Sequence, residues 1–352
     1  MKNKKWKEPL TQMLISLVAI LFAFLVGGII IFCLGQNPFE AYAVLIQGAI
    51  GTPAAFAASL TKSVPLILTG LAIAFGQKSR VFNIGAEGQF LVGALAASIV
   101  GTSVSLPMPL HILLCLLAAV AAGMLWAAIA AFLKYTRNVH VVIATIMLNY
   151  IATLFVQYMV TGPFKEPNST LDATAQVAAT AKLPLLFPRP FNLNIGFLIA
   201  LLMIAFCWFT LKHTTTGYEM RAVGMNPNAS RVGGINIAKN MFMALVVSGA
   251  LAGLAGGIDL CGSTFRVVAG SSPGYGFNGI PVAMMANGNP VGILFSAFLL
   301  GAMRNGALTM QIQTGISQDI IDIMQGLVII FLGCNYLFRY FFNKMRSEGR
   351  KQ

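Results

Sequence analysis

The stretch VFNIGAEGQF (81–90) sets Asn83, Glu87 and Gln89 among two glycines, between long apolar runs. A carboxylate and two amides at that spacing can replace the hydrogen bonds a polar solute loses on leaving water. An ionisable residue at membrane depth is a functional-site candidate by default. Gly85 and Gly88 weaken the helix there and let backbones approach closely. A structural reading stands beside the functional one: Glu87 can offset the positive end of a helix dipole, or pair with Lys78 or Arg80. A second segment, GYGFNGIPVAMMANGNP (274–290), carries Tyr275, Phe277 and Asn278 on a run broken by Gly and Pro. Aromatic rings stack on a base and an amide reads its edge; rings in such a run also serve as packing or interfacial residues. Arg304 and Asn305 lie inside an apolar run, either lining a pathway or snorkelling to the surface. Asp319 and Asp322, at i and i+3, are explained as helix-opening acids. Asp259 is expected to pair with Arg266.

Bond-breaking chemistry is not indicated, and no catalytic residue is assigned. G-x-x-x-x-G-K-[ST], H-E-x-x-H and G-x-S-x-G are all missing from the chain. His111, His140 and His213 show no ligand spacing, and Cys33, Cys115, Cys207, Cys261 and Cys334 are far apart, so neither a metal site nor a disulfide framework is predicted.

The elements that must position these residues are membrane spans. Of 352 residues, 57% are hydrophobic and 9% charged, against about a quarter charged in a globular domain. Apolar runs of the ~20 residues that cross a bilayer recur along the chain. The expectation is an all-α polytopic membrane protein of about ten transmembrane helices (range 8–10), with both termini cytoplasmic. The spans are read at 10–34, 60–77, 84–101, 110–133, 140–161, 192–211, 239–260, 275–287, 291–310 and 319–338. The eighth is too short to cross as a regular helix and is predicted to be broken or re-entrant. Residues 1–9 are read as a cytoplasmic N-terminal tail, 10–338 as a single transmembrane domain and 339–352 as a basic cytoplasmic tail. The net charge of +13 does not point to nucleic acid. Seventeen of the 23 lysines and arginines gather at 2–7, 78–80, 134–137, 212–239 and 339–351, all on one side of such a topology, against Lys62, Lys165, Lys182, Arg189, Arg266 and Arg304 outside or in mid-span, the asymmetry of the positive-inside rule.

Two connections stand out. Residues 162–190 are polar, Pro-rich and predicted external; residues 212–238 are predicted cytoplasmic. Within the second, GYEMRAVGMNPNASRVGGIN (217–236) holds a helix-compatible stretch at 218–223 ending at Gly224, then a turn in which Asn226 precedes Pro227. A short helix between turns suits docking on a soluble partner. GALAGLAGG (249–257) spaces small residues for close helix packing. A weak echo relates FNIGAEGQFLVGAL (82–95) to FNGIPVAMMANGNPVGIL (277–294), as in transporters built from repeats.

As an ordered set, LILTGLAIAF (66–75), VFNIGAEGQFLVGALAA (81–97), the 217–236 loop, VVSGALAGLAGGI (246–258), GYGFNGIPVAMM (274–285), GAMRNGALTMQ (301–311) and DIIDIMQGLVIIF (319–331) carry a family likeness. The chain resembles permease subunits of bacterial ABC importers in the ribose and branched-chain amino acid permease superfamily, nearest to nucleoside permeases. The resemblance implies a multi-pass subunit in the bacterial cytoplasmic membrane that moves nucleosides by alternating access. The alternatives are a simple sugar such as ribose, or an ion-gradient-driven transporter. It further implies a separate ABC ATPase that uses the ATP, an extracytoplasmic substrate-binding lipoprotein and a second permease subunit, with no cofactor bound by this chain and no nucleic acid. Glu219, Arg221, Gly224, Asn226, Pro227 and Arg231 are then the expected ATPase-coupling residues. Asn83, Glu87, Gln89, Tyr275, Phe277, Asn278, Arg304 and Asn305 are the expected pathway or gate residues. The loop keeps Glu219 and Gly224 of the usual Glu-Ala-Ala docking pattern but lacks its alanine pair.

Overall fold

A computed structural model describes residues 7–333 apart from 168. The start of the N-terminal tail (1–6), the end of the last predicted span (334–338), Cys334 and the basic tail 339–352 lie outside the described residues. The described chain is helical, with isolated bridges and no named strand. Its helices are α1 (Lys7–Cys33), α2 (Pro38–Ile50), α3 (Pro53–Gln77), α4 (Ala86–Ser103), α5 (Met108–Arg137), α6 (Val141–Thr161), α7 (Gly196–His213), α8 (Thr215–Met225), α9 (Pro227–Val232), α10 (Ile237–Asp259), α11 (Tyr275–Met285), α12 (Pro290–Thr314) and α13 (Asp319–Gly333).

Among the described residues, six segments are long and apolar enough to cross a bilayer: α3, α5, α6, α7, α10 with its continuation to Thr264, and α12. Of the other predicted spans, two fall short for separate reasons and two, the first and the last, are described only in part. Glu87 and Gln89 lower the apolarity of α4, which is buried through most of its length. The eleven residues of α11 rise only about 16 Å. Within α1 the apolar stretch found is Leu21–Cys33, and α13 shows fifteen residues. One helix was not expected at all: α2, opened by an Asn37 cap that accepts from the Phe39 N–H (3.0 Å), with Pro38 at the first helical position.

The chain divides into two compact units, 1–59 with 302–352 and 60–301. In the larger, α4 is sheathed by α5, α6, α10 and α11. The small residues of α10 make this possible. A side chain on Gly253 would strike the Ala119 carbonyl and Gly123, and one on Gly256 would strike the Phe90 carbonyl. Gly93 meets Gly253 backbone to backbone, the close approach that GALAGLAGG predicts. Outward, α5 exposes Leu110, Leu113, Leu117, Leu125 and Phe132, and α6 exposes Ile143, Met147, Tyr150, Leu154 and Tyr158, each at helical spacing. Such apolar stripes suit lipid. At Asp259 α10 widens into a π-helical turn (Leu260–Thr264), closed by the Phe265 N–H on the Leu260 carbonyl (2.8 Å). The following strand-like residues 265–269 bond to 172–177, so the 162–190 connection is tied down: Thr174 N–H to Val267 O and Val177 N–H to Phe265 O, both 2.9 Å.

In the smaller unit α1 packs on α13, with Phe22 against Phe331 (5.9 Å between ring centres). Asn305 on α12 donates to the Gly48 and Ala55 carbonyls (3.0 and 3.1 Å) and to Ser59 Oγ (3.2 Å), fixing the α2–α3 turn.

Candidate functional site

The polar residues of 81–90 fold onto one another and onto two neighbouring helices. Asn83, fully buried, donates from Nδ2 to Gln89 Oε1 and to Ser248 Oγ of α10, both 2.8 Å. Its Oδ1 accepts from the Gly85 N–H (2.9 Å). Asn149 of α6 completes the arrangement, accepting from the Gly88 N–H and donating to the Ile84 carbonyl, both 2.9 Å. Gly85 is no hinge: a side chain there would crowd Thr145, Asn83 and Gln89 at 3.0–3.2 Å.

Glu87 is 2% exposed, yet its carboxylate is fully engaged. It accepts from Ser272 Oγ (2.5 Å), the Gly274 N–H (3.1 Å) and the Gly276 N–H (2.6 Å). Gly274 caps α11 and Gly276 sits in its first turn, so the negative charge meets the positive end of a helix. That helix is α11, 187 residues along the chain, not the carboxylate's own α4 alone. Neither Lys78 nor Arg80 is the partner. The two echoing segments meet here, for a side chain on Gly276 would collide with the backbone of Ala86 and Glu87. Asn149 lies eight residues beyond the start of α6, and Thr69, which donates to the Tyr275 carbonyl (2.9 Å), lies eight before the end of α3. Eight residues rise about 12 Å. Glu87 therefore stands well inside the helical layer, deeper than a place at the start of a span implies.

On α11 the predicted trio points different ways. Tyr275 is buried against Phe90 (5.8 Å between ring centres). Phe277 is 45% exposed and Asn278 is half-buried. Beside the loop that Glu87 holds lies a cleft of about 290 Å³, lined among others by Phe90, Asp259, Thr264, Arg266 and Ser271. Arg266 reaches Glu166 at 3.8 Å, a partner the sequence reading does not name. This cleft joins an aromatic ring, both signs of charge and hydroxyls, the chemistry that holds a small polar ligand. Arg304 and Asn305 lie on α12 in the smaller unit, where Arg304 is half-buried.

The 212–238 connection forms two helices joined by one residue. Thr214 caps α8, and its hydroxyl accepts from the Gly217 N–H (3.1 Å). The helix does not end at Gly224 as the pattern implied, but runs to Met225. Gly224 is instead a point of contact: a side chain there would strike the Lys78 carbonyl. Asn226 caps α9, accepting from the Asn228 and Ala229 N–H groups (3.0 and 3.1 Å), with Pro227 in the first turn. Glu219 accepts from Asn240 Nδ2 of α10 (2.9 Å), and Arg221 donates to the Gly217 carbonyl (3.3 Å). Arg231 is exposed in the last turn of α9.

Arg80 is the residue that sequence reasoning missed here, having counted only as a positive charge. Its Nε and Nη2 donate to the Gly224 and Met225 carbonyls (2.9 and 3.1 Å), capping the end of α8. It does so from a left-handed backbone (φ +57°), a conformation that costs a non-glycine residue of order 1–3 kcal/mol. Lys78 beside it is held below the usual lysine range by burial, and the Arg221 charge adds to the effect. A polar residue inside an apolar span is the one signal that would have marked Asn149 and Ser248 in advance.

The family described as branched-chain amino acid transport system / permease component matches residues 55–333. The guanosine ABC transporter permease protein NupP of Bacillus subtilis is 36% identical, covering 97% of this chain and 99% of its own. The nucleoside ABC transporter permease protein NupB of Lactococcus lactis is 33% identical (96% and 94%). The glucose ABC transporter permease protein TsgB13 of Haloferax volcanii is 31% identical (92% and 87%). With its apolar helices and its polar, glycine-jointed interior, this chain is a multi-pass membrane protein that belongs to the branched-chain amino acid transport system permease family.

Proposed function

We propose that the chain is the permease subunit of an ATP-driven importer of nucleosides in the bacterial cytoplasmic membrane. The observation that carries this reading is the near-full-length likeness to the guanosine and nucleoside permeases. The cleft of about 290 Å³ beside Phe90, Asp259 and Arg266 supports it, since it offers a ring for stacking and charged groups for hydroxyl and base edges. Asn83, Glu87, Gln89, Tyr275, Phe277 and Asn278 would shape a pathway wall or gate in the larger unit, and Arg304 and Asn305 of α12 are proposed as pathway or gate residues in their own right. ATP hydrolysis belongs to a separate ATPase that docks on α8 and α9 through Glu219, Arg221, Gly224, Asn226, Pro227 and Arg231. A binding lipoprotein delivers solute from outside, and a second permease completes the membrane portion. No cofactor is assigned to this chain. About ten spans with both termini cytoplasmic fit the distribution of Lys and Arg.

The likeness to a glucose permease favours a second reading, a simple sugar as substrate. Uptake of labelled guanosine by a deletion strain carrying this chain, competed by uridine, ribose or glucose, separates the two. Guanosine uptake blocked by nucleosides and not by sugars is expected; the reverse order of competition would establish the sugar reading. Uptake in proteoliposomes that persists without the ATPase would overturn both in favour of an ion-driven transporter.

A further inference from the structure

Residues 78–89 touch both elements that the proposed cycle must connect. At one end Arg80 grips the last carbonyls of α8, and Gly224 lies directly on the Lys78 carbonyl. At the other end Glu87 grips the cap and first turn of α11 together with Ser272, in the loop that walls the cleft. Between the grips the segment has no slack. The Val81 N–H bonds to the Gly76 carbonyl (3.1 Å), Asn83 is tied to Ser248 and Gln89, and Ile84 is tied to Asn149. Lys78 runs along the opposite end of α11, where a side chain on Gly288 would meet its ammonium at 3.2 Å. Basic charge at the C-terminal end of α11 and acid at its N-terminal end both suit the helix dipole. The Asn83 bonds in the middle of the segment are buried, where hydrogen bonds are stiff and interdependent, while Arg80 grips α8 from an exposed position.

We propose that residues 80–87 form a connecting rod, with Arg80 and Glu87 as positioning residues at its ends. Displacement of α8 by a docked ATPase is carried through the rod to the N-terminus of α11 and the cleft wall. The inference rests on the permease reading and adds the route by which docking is felt at the solute site. The left-handed backbone of Arg80 supports it, because glycine would adopt that conformation without strain. The arginine is kept there for what its side chain holds.

The test uses proteoliposomes of the permease with its cognate ATPase and binding protein, and reads guanosine moved per ATP and the stimulation of hydrolysis by loaded binding protein. Arg80→Gly removes the grip while relieving the backbone. It is expected to lower both readouts by about tenfold, with basal hydrolysis and subunit assembly unchanged. Glu87→Gln is expected to lower the same two readouts, and the double variant to be no worse than the poorer single, as for two ends of one part. Ser272→Ala, at an exposed position, gives a milder version should Glu87→Gln fail to assemble. Wild-type coupling in an assembled Arg80→Gly complex, or losses that multiply in the double variant, would overturn the rod. Failure of the permease reading looks different: the wild-type complex itself would show no ATP-dependent uptake.

Discussion

Lys78 shows how one side chain reports the packing around it. Its ammonium is drawn out of water beside Arg221, and burial, then that charge, lowers its pKa from 10.5. Between the lowered folded value and 10.5 the unfolded chain binds more protons, so stability rises with pH in that window, and at neutral pH the penalty is fully present. Lys78→Met should therefore raise the melting temperature near neutrality and flatten the rise on approach to about pH 10. A melting curve in detergent that keeps the wild-type slope would locate the ammonium in bulk solvent instead. Glu87 was legible in the sequence as a costly acid, and Asn83 and Gln89 as its polar company. Their partners were not, because Ser248 lies 165 residues from Asn83 and Gly276 lies 189 from Glu87. Composition reveals that a buried charge needs donors; only the fold reveals that backbone N–H groups supply them.

At the level of elements, glycine does the joining. Gly253 of α10 faces backbone from α4 and α5, whereas a Cβ added to Gly326 of α13 would meet nothing among the described residues within 4 Å. Gly253→Ala should lower the melting temperature steeply, costing about 1–3 kcal/mol as an overpacked contact. Gly326→Ala should be neutral or gain up to ~1 kcal/mol from helix propensity. Equal effects on thermal unfolding would refute the close-packing account. The sequence marked this run well, since small residues at intervals of three and four have few other uses. It misjudged helices whose character depends on neighbours. A run of thirteen residues with a glutamate and a glutamine hid α2 among connections, and Gly224 read as a stop although its role is steric.

For the whole molecule, the broad class was legible because lipid demands apolar runs that no soluble fold needs. The short eighth run was legible too, but which runs are sheathed by their neighbours was not, because hydropathy counts residues and ignores what covers them. The proposed topology makes a direct prediction. Single cysteines at Arg137 and Arg231 should react with a membrane-impermeant maleimide only in inverted vesicles, and one at exposed Asp172 only in intact cells. Labelling of Arg137→Cys from outside would reverse the orientation and remove α8 and α9 from the ATPase side.

The short α11 bears on how far a solute would travel beside regular helix. The helix reaches about 16 Å, while a hydrocarbon core is about 30 Å thick. Beyond its N-terminus the column is filled by residues 265–274, a polar backbone that pairs with 172–177 and with Glu87. Unhelical backbone of this kind is tolerated beside a bilayer only where protein or water covers it. A solute passing along α11 would meet about 16 Å of helix before reaching polar loop, so the stretch over which protein must replace its water would be short by the measure of a full span.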